Sequence, residues 1–224
     1  MARYKRLQVL NSINDSGLVP VFYHSDLETA KKIVAACYEG GSRIIELTNR
    51  GDGAIHIFSG LEQFCCTQFP DMVLGVGSVV DAPTAAMYIA EGAGFVVGPV
   101  LDTETAFLCN SRKIPYLPGC GSATEIHQAE RLGVEICKIF PGTQVGGPAF
   151  VKAVLAPCPW TMLMPTGGVD ITRESITAWF SAGVVAAGIG SKLITKELVK
   201  NENFSQLTEN VRNVLKFIAE LKSQ

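Results

Sequence analysis

Short β-branched or apolar runs recur along the chain as VPVFYH, RIIELTN, MVLGVGSVV, FVVGPV, PYLPGC, ICKIF, TMLMPTGGV and VVAAGIGS. Each begins roughly 20 to 29 residues after the last, the rhythm of repeated strand–helix units. Eight such units predict an α/β fold, a single (β/α)8 TIM barrel, with residues 1–224 forming one domain. The segments between the runs carry helix signals. SDLETAKKIVAACYEGG opens with a predicted Ser25-x-x-Glu28 capping box, aligns Leu27, Ala30, Val34 and Cys37 on one face, and stops at Gly40 and Gly41. SATEIHQAERLG repeats the device with Ser122 and Glu125, and DAPTAAMYIAEGAG has Pro83 in its first turn and Gly92 beyond its last. The final stretch, FSQLTENVRNVLKFIAELKSQ, places Leu207, Val211, Val214, Leu215 and Ile218 on one side of an amphipathic helix.

Composition narrows the partners. The net charge is −2 and the basic residues are scattered, so neither a nucleic acid nor an anionic membrane is expected as a partner, and a small molecule is. The seven cysteines are odd in number and lack C-x-x-C spacing, which predicts reduced thiols and a cytoplasmic protein. The first stretch, MARYKRLQVLNSIND, has no continuous apolar signal-peptide region. No run approaches the roughly 18 apolar residues of a membrane span.

The chemistry is expected where strands end, because barrels build their sites at the carboxyl ends. In RIIELTNR, alternation puts Ile44, Glu46, Thr48 and Arg50 on one face and Ile45, Leu47 and Asn49 on the other. The second face suits the helix layer, which sends Glu46, Thr48 and Arg50 toward the axis. In ICKIFPG, the same reasoning puts Lys138 on the face of Ile136 and Phe140. An ammonium inside an apolar strand is costly unless it snorkels to water or its pKa falls by about 3 to 5 units. Taken singly, Lys138 could be a snorkelling residue and Glu46 with Arg50 an ordinary ion pair. Taken together they place an amine, a carboxyl and a guanidinium in one site. PTGGV (165–169) and GIGS (188–191) fall after the seventh and eighth strands, where backbone N–H groups can cradle a phosphate, although such glycines also make plain tight turns.

From GLVPVF through GGSRIIELTNR, GVGSV, PYLPG, KIFPG, PTGGV and GIGS, nearly the whole chain resembles the 2-keto-3-deoxy-6-phosphogluconate (KDPG) aldolases and the overlapping 4-hydroxy-2-oxoglutarate (KHG) aldolases. The resemblance implies a class I aldolase, a homotrimer, with no cofactor and no metal. It implies Lys138 as the Schiff-base nucleophile and Glu46 as the acid/base. Arg50 and Ser78 then hold the pyruvate carboxylate of a 2-keto acid substrate, Thr48 lies beside them, Pro99, Phe140 and Thr166 wall the site, and Gly167, Gly168, Gly190 and Ser191 bind phosphate. PGCGS, KIFPG and VFYHSD depart from the commoner family patterns, so the aldehyde half of the substrate and the sugar stereochemistry stay open. The galactonate epimer, a phosphosugar isomerase or epimerase, and a non-catalytic barrel are the alternatives. A metal-dependent aldolase is disfavoured, since His24, His56 and His127 show no ligand pairing.

Overall fold

The structure is a computed structural model that describes residues 3–223; Met1, Ala2 and Gln224, which end the terminal stretches and the domain considered above, lie outside the described residues. Its strands are β1 (Leu18–Phe22), β2 (Ile44–Thr48), β3 (Val73–Gly77), β4 (Val96–Val97), β5 (Tyr116–Leu117), β6 (Gly119–Cys120), β7 (Ile136–Ile139), β8 (Met162–Pro165) and β9 (Ala187–Ile189). Its helices are α1 (Arg6–Ser16), α2 (Leu27–Glu39), α3 (Ala54–Gln68), α4 (Ala82–Ala90), α5 (Thr103–Arg112), α6 (Ala123–Arg131), α7 (Gly147–Leu155), α8 (Arg173–Phe180), α9 (Lys196–Lys200) and α10 (Phe204–Lys222). Every strand pairing is parallel.

The strands divide into a six-stranded sheet, β5-β4-β3-β2-β1-β9, and a three-stranded sheet, β6-β7-β8. This is an α/β fold with parallel sheets, and it differs in detail from the single eight-stranded barrel expected. The run PYLPGC is cut in two at Pro118, which has no N–H for a ladder. Its carbonyl still accepts from the Lys138 N–H at 3.0 Å, so the chain stays beside β7 through the break. The far edges of the two sheets meet in one parallel bridge, Thr166 to Gly188.

Two layers of apolar packing confirm the alternation read in β2 and β7. Ile45, Leu47, Cys137 and Ile139 belong to the large cluster shared with the helices. Ile44 and Ile136 belong to a second cluster with Val19, Val73, Phe95, Val97, Leu117 and Met164, closed by Val9, Leu10 and Ile13 of α1. Ile44, Val73 and Ile136 open their strands, so α1 floors the inner face and leaves the strands' carboxyl ends for polar residues. The helix signals hold with one shift: α2 is capped by Asp26, which accepts from the Thr29 N–H at 2.8 Å, and not by Ser25. An aspartate one residue nearer the helix takes the N-cap position, so the donor satisfied is the Thr29 N–H instead of the Glu28 N–H that a Ser25 cap would have bonded. Ser122 caps α6 as expected, and Leu207, Val211, Val214 and Ile218 of α10 are buried. All seven cysteines are free thiols. Among the described residues, no helix is long and apolar enough to cross a membrane.

Candidate active site

Lys138 is the third residue of β7, in register between Gly119 and Met164, and only 5% of its surface is exposed. Its Nζ donates to the Gly98 carbonyl at 3.3 Å and lies 4.5 Å from the centre of the Phe140 ring. Burial pushes the Lys138 pKa down; the Glu46 carboxylate works against that shift, and Arg50 adds to it. Glu46 is as deeply buried, and burial raises its pKa against the pull of Lys138 and Arg50. Both groups move toward their neutral forms. An amine and a carboxylic acid hold the same number of protons as an ammonium and a carboxylate, so desolvation trades one pair for the other without loss of a proton. In its neutral form an amine can act as a nucleophile and a carboxylic acid can give a proton.

Room for the acid comes from a glycine. A Cβ on Gly77 would fall 1.7 Å from Glu46 Oε1, so any larger residue there would evict the carboxylate. Glu46 Oε2 and Thr166 Oγ1 are buried and bonded to no atom of the protein, so each keeps hydrogen-bonding capacity for a ligand. Beyond them opens a cleft of about 590 Å³, whose lining includes Thr48, Arg50, Phe140, Thr166, Gly167, Gly190 and Ser191. Gly167 and Gly168 both have positive φ (87° and 80°), the left-handed region that glycine enters without strain. Among the described residues, no cluster of three His, Cys, Asp or Glu side chains is arranged to hold a metal ion.

The family model described as KDPG and KHG aldolase matches residues 9–210. The chain belongs to this aldolase family. The 2-dehydro-3-deoxy-phosphogluconate aldolase of Treponema pallidum is 28% identical over 212 residues, 95% of this chain and 98% of the relative. That of Pseudomonas aeruginosa is 31% identical over 181 residues, 81% and 80% of the two chains. The crystal structure of the KDPG aldolase from Legionella pneumophila, with pyruvate captured as a covalent carbinolamine, shares 28% identity with a TM-score of 0.82, covering 91% of this chain and 96% of that one. The protein is therefore a lyase.

Within this aldolase the residues singled out from the sequence fall into two groups. Arg50, Thr48, Phe140, Thr166, Gly167, Gly190 and Ser191 share the cleft; Lys138 and Glu46 are buried and do not line it, although the Lys138 Nζ lies 4.5 Å from the centre of the Phe140 ring, which does. Pro99 follows the carbonyl that Lys138 bonds, and its own carbonyl packs against Gly119 so closely that a Cβ there would lie 2.1 Å away. Ser78 stands just past β3 in the left-handed region (φ 60°), rare for a residue with a side chain. Gly168 is packed against Thr143, whose Oγ1 would lie 1.5 Å from a Cβ there, and it does not line the cleft. Sequence reading missed Ile194, Thr195, Lys196, Val199 and Lys200, and gave no role to Tyr23 and His24, all of which line the cleft. For Thr195, Lys196, Val199 and Lys200 the signal was local: TKELVK is a capped helical turn shortly after GIGS, with Thr195 accepting from the Leu198 N–H.

Proposed function

We propose that this aldolase cleaves 2-keto-3-deoxy-6-phosphogluconate to pyruvate and glyceraldehyde 3-phosphate through a Schiff base on Lys138, and accepts 4-hydroxy-2-oxoglutarate as a second substrate. The observation that carries this reading is the burial of the Lys138 amine, whose charge couples to Glu46 and Arg50 and whose Nζ lies 4.5 Å from the Phe140 ring, with Arg50 and Phe140 both lining the cleft. The neutral amine of Lys138 attacks C2 of the keto acid, forming a C–N bond. The Glu46 carboxylic acid gives its proton to the carbinolamine hydroxyl, which leaves as water and produces the iminium. Glu46, now a carboxylate, takes the proton of the C4 hydroxyl. The C3–C4 bond breaks, its electron pair enters the iminium, and the aldehyde departs. Protonation of the enamine at C3 and hydrolysis return pyruvate and the free amine.

Arg50 supplies a fork of donors for the keto-acid carboxylate, which fixes C2 against Lys138. Ser78 supports it; its left-handed backbone is the kind of local strain that gathers at ligand clamps. Gly167, Gly168, Gly190 and Ser191 are the phosphate loops, while Thr48, Pro99, Phe140 and Thr166 shape the walls. At the level of the whole chain, we read the two sheets as parts of one closed (β/α)8 barrel domain, joined through Pro118 and the Thr166–Gly188 bridge. The exposed Val80, Met87, Val100 and Phe107, on or beside α4 and α5, support a homotrimer, and light scattering should give three times the 24.0 kDa chain mass. Free thiols throughout support a cytoplasmic setting.

The function is tested by turnover of three substrates: the phosphorylated gluconate derivative, its galactonate epimer and 4-hydroxy-2-oxoglutarate. Pyruvate should form from all that are cleaved, with the highest kcat/KM for the first. Preference for the epimer would overturn the substrate assignment, and no pyruvate from any of the three would overturn the reaction.

A further inference from the structure

The cleft extends past the phosphate loops along a wall that the reaction described above does not use. β9 pairs with β1 in parallel register, Val19 with Gly188 and Pro20 with Ile189, so the segments that follow both strands emerge side by side. One carries Tyr23 and His24; the other carries Ser191 and then α9. Lys196 and Lys200 are four residues apart, hence on one face of that short helix, and both line the cleft, with Thr195 and Val199 between or beside them. Among the described residues, Arg50, Lys196 and Lys200 thus bring three basic side chains to the cleft lining, and no aspartate or glutamate belongs to that lining.

The neighbouring charges are already matched. Lys192 pairs with Asp170 at 3.0 Å, and Lys32 pairs with Glu202 at 2.7 Å just beyond α9. Among the described residues, Lys196 and Lys200 enter no ion pair. His24 Nδ1 lies 3.1 Å from the Asp26 backbone nitrogen and 3.2 Å from the Asp26 carbonyl oxygen, so the ring is held by its own loop while its imidazole lines the cleft. A keto-acid carboxylate uses one cation, Arg50. Two remain, on α9, the helix that follows Gly190 and Ser191 in the chain.

We propose that Lys196 and Lys200, with His24 across the mouth, form a second anion wall that makes this aldolase selective for substrates whose far end is a phosphate monoester. The proposal rests on the substrate reading above and names the residues that set its preference. A phosphate monoester carries about −1.5 to −2 charges at pH 7, whereas a terminal carboxylate carries one. Two lysine ammonium groups therefore favour the phosphate, and flexible stems let them follow it as the sugar chain turns. The backbone N–H groups of the loops orient the phosphate; the lysines supply charge.

Binding of glycerol 3-phosphate, which cannot react, tests the wall without relying on the chemistry. Titration calorimetry of the wild type, the double variant K196Q/K200Q and the control K192Q at low ionic strength should give a Kd at least tenfold weaker in the double variant only. In the double variant, the ratio of kcat/KM for the 6-phosphorylated substrate to that for 4-hydroxy-2-oxoglutarate should also fall at least tenfold, and the salt dependence of KM for the former should flatten. An unchanged Kd overturns the proposal, as does an equal loss in kcat/KM for both substrates. Weakened phosphate binding in a protein that forms no pyruvate from any keto acid would uphold the wall while overturning the aldolase substrate reading.

Discussion

Glu46 and Lys138 shift each other's proton affinity, and the signs make the pair testable. The Glu46 carboxylate favours the Lys138 ammonium, whereas Arg50 disfavours it. Glu46→Gln should therefore lower the Lys138 pKa further and move the acid limb of imine formation with pyruvate to lower pH. Arg50→Gln should move it to higher pH. Turnover of the full substrate in Glu46→Gln should fall roughly 100-fold or more, the usual range for loss of a general acid/base. Near wild-type turnover, or limbs that shift the wrong way, would reduce Glu46 to a structural partner of Arg50. At this scale the sequence was informative because a strand alternates: Ile44 and Glu46 share a face whatever the rest of the fold does. It was less so for Gly77, since only the folded sheet shows that the space above its α-carbon belongs to the Glu46 carboxylate.

Helix α1 shows what a single element contributes. Its Val9, Leu10 and Ile13 close the inner cluster, and Ile13 has no exposed surface. Ile13→Ala removes methyl groups from a packed floor and should cost about 2 to 5 kcal/mol of stability, read as a lower urea midpoint. Activity measured well below the unfolding transition should persist, because the floor lies at the opposite end of the strands from Arg50. A midpoint equal to that of the wild type would mean that α1 does not close the core. This helix was not foreseen, since LQVLNSI is short and its apolar residues face the strand openings, a target that exists only after the strands assemble. The break at Pro118 had a visible cause in the sequence, but the alternation of β5 and β6 around it suggests one strand. α9 was likewise hidden by its length, below the roughly three turns at which helical periodicity becomes distinct.

The whole molecule brings together segments that are far apart in sequence. Rhythm alone indicated parallel strand–helix units, because each apolar run needs a helix to cover it and to return the chain. The cleft was only half legible. Arg50, Phe140, Thr166 and Ser191 stand at strand ends, where the fold's geometry predicts function, whereas Tyr23, His24, Lys196 and Lys200 reach it because β1 and β9 are neighbours. That adjacency closes the longest span of the chain and leaves no local pattern. The central claim remains that Lys138 is the nucleophile, and one experiment addresses it most directly. Protein treated with pyruvate and borohydride, digested and analysed by mass spectrometry, should carry one reduced pyruvyl adduct on Lys138 and lose its activity in step with labelling. An adduct on another lysine, or undiminished turnover in Lys138→Met, would contradict the account.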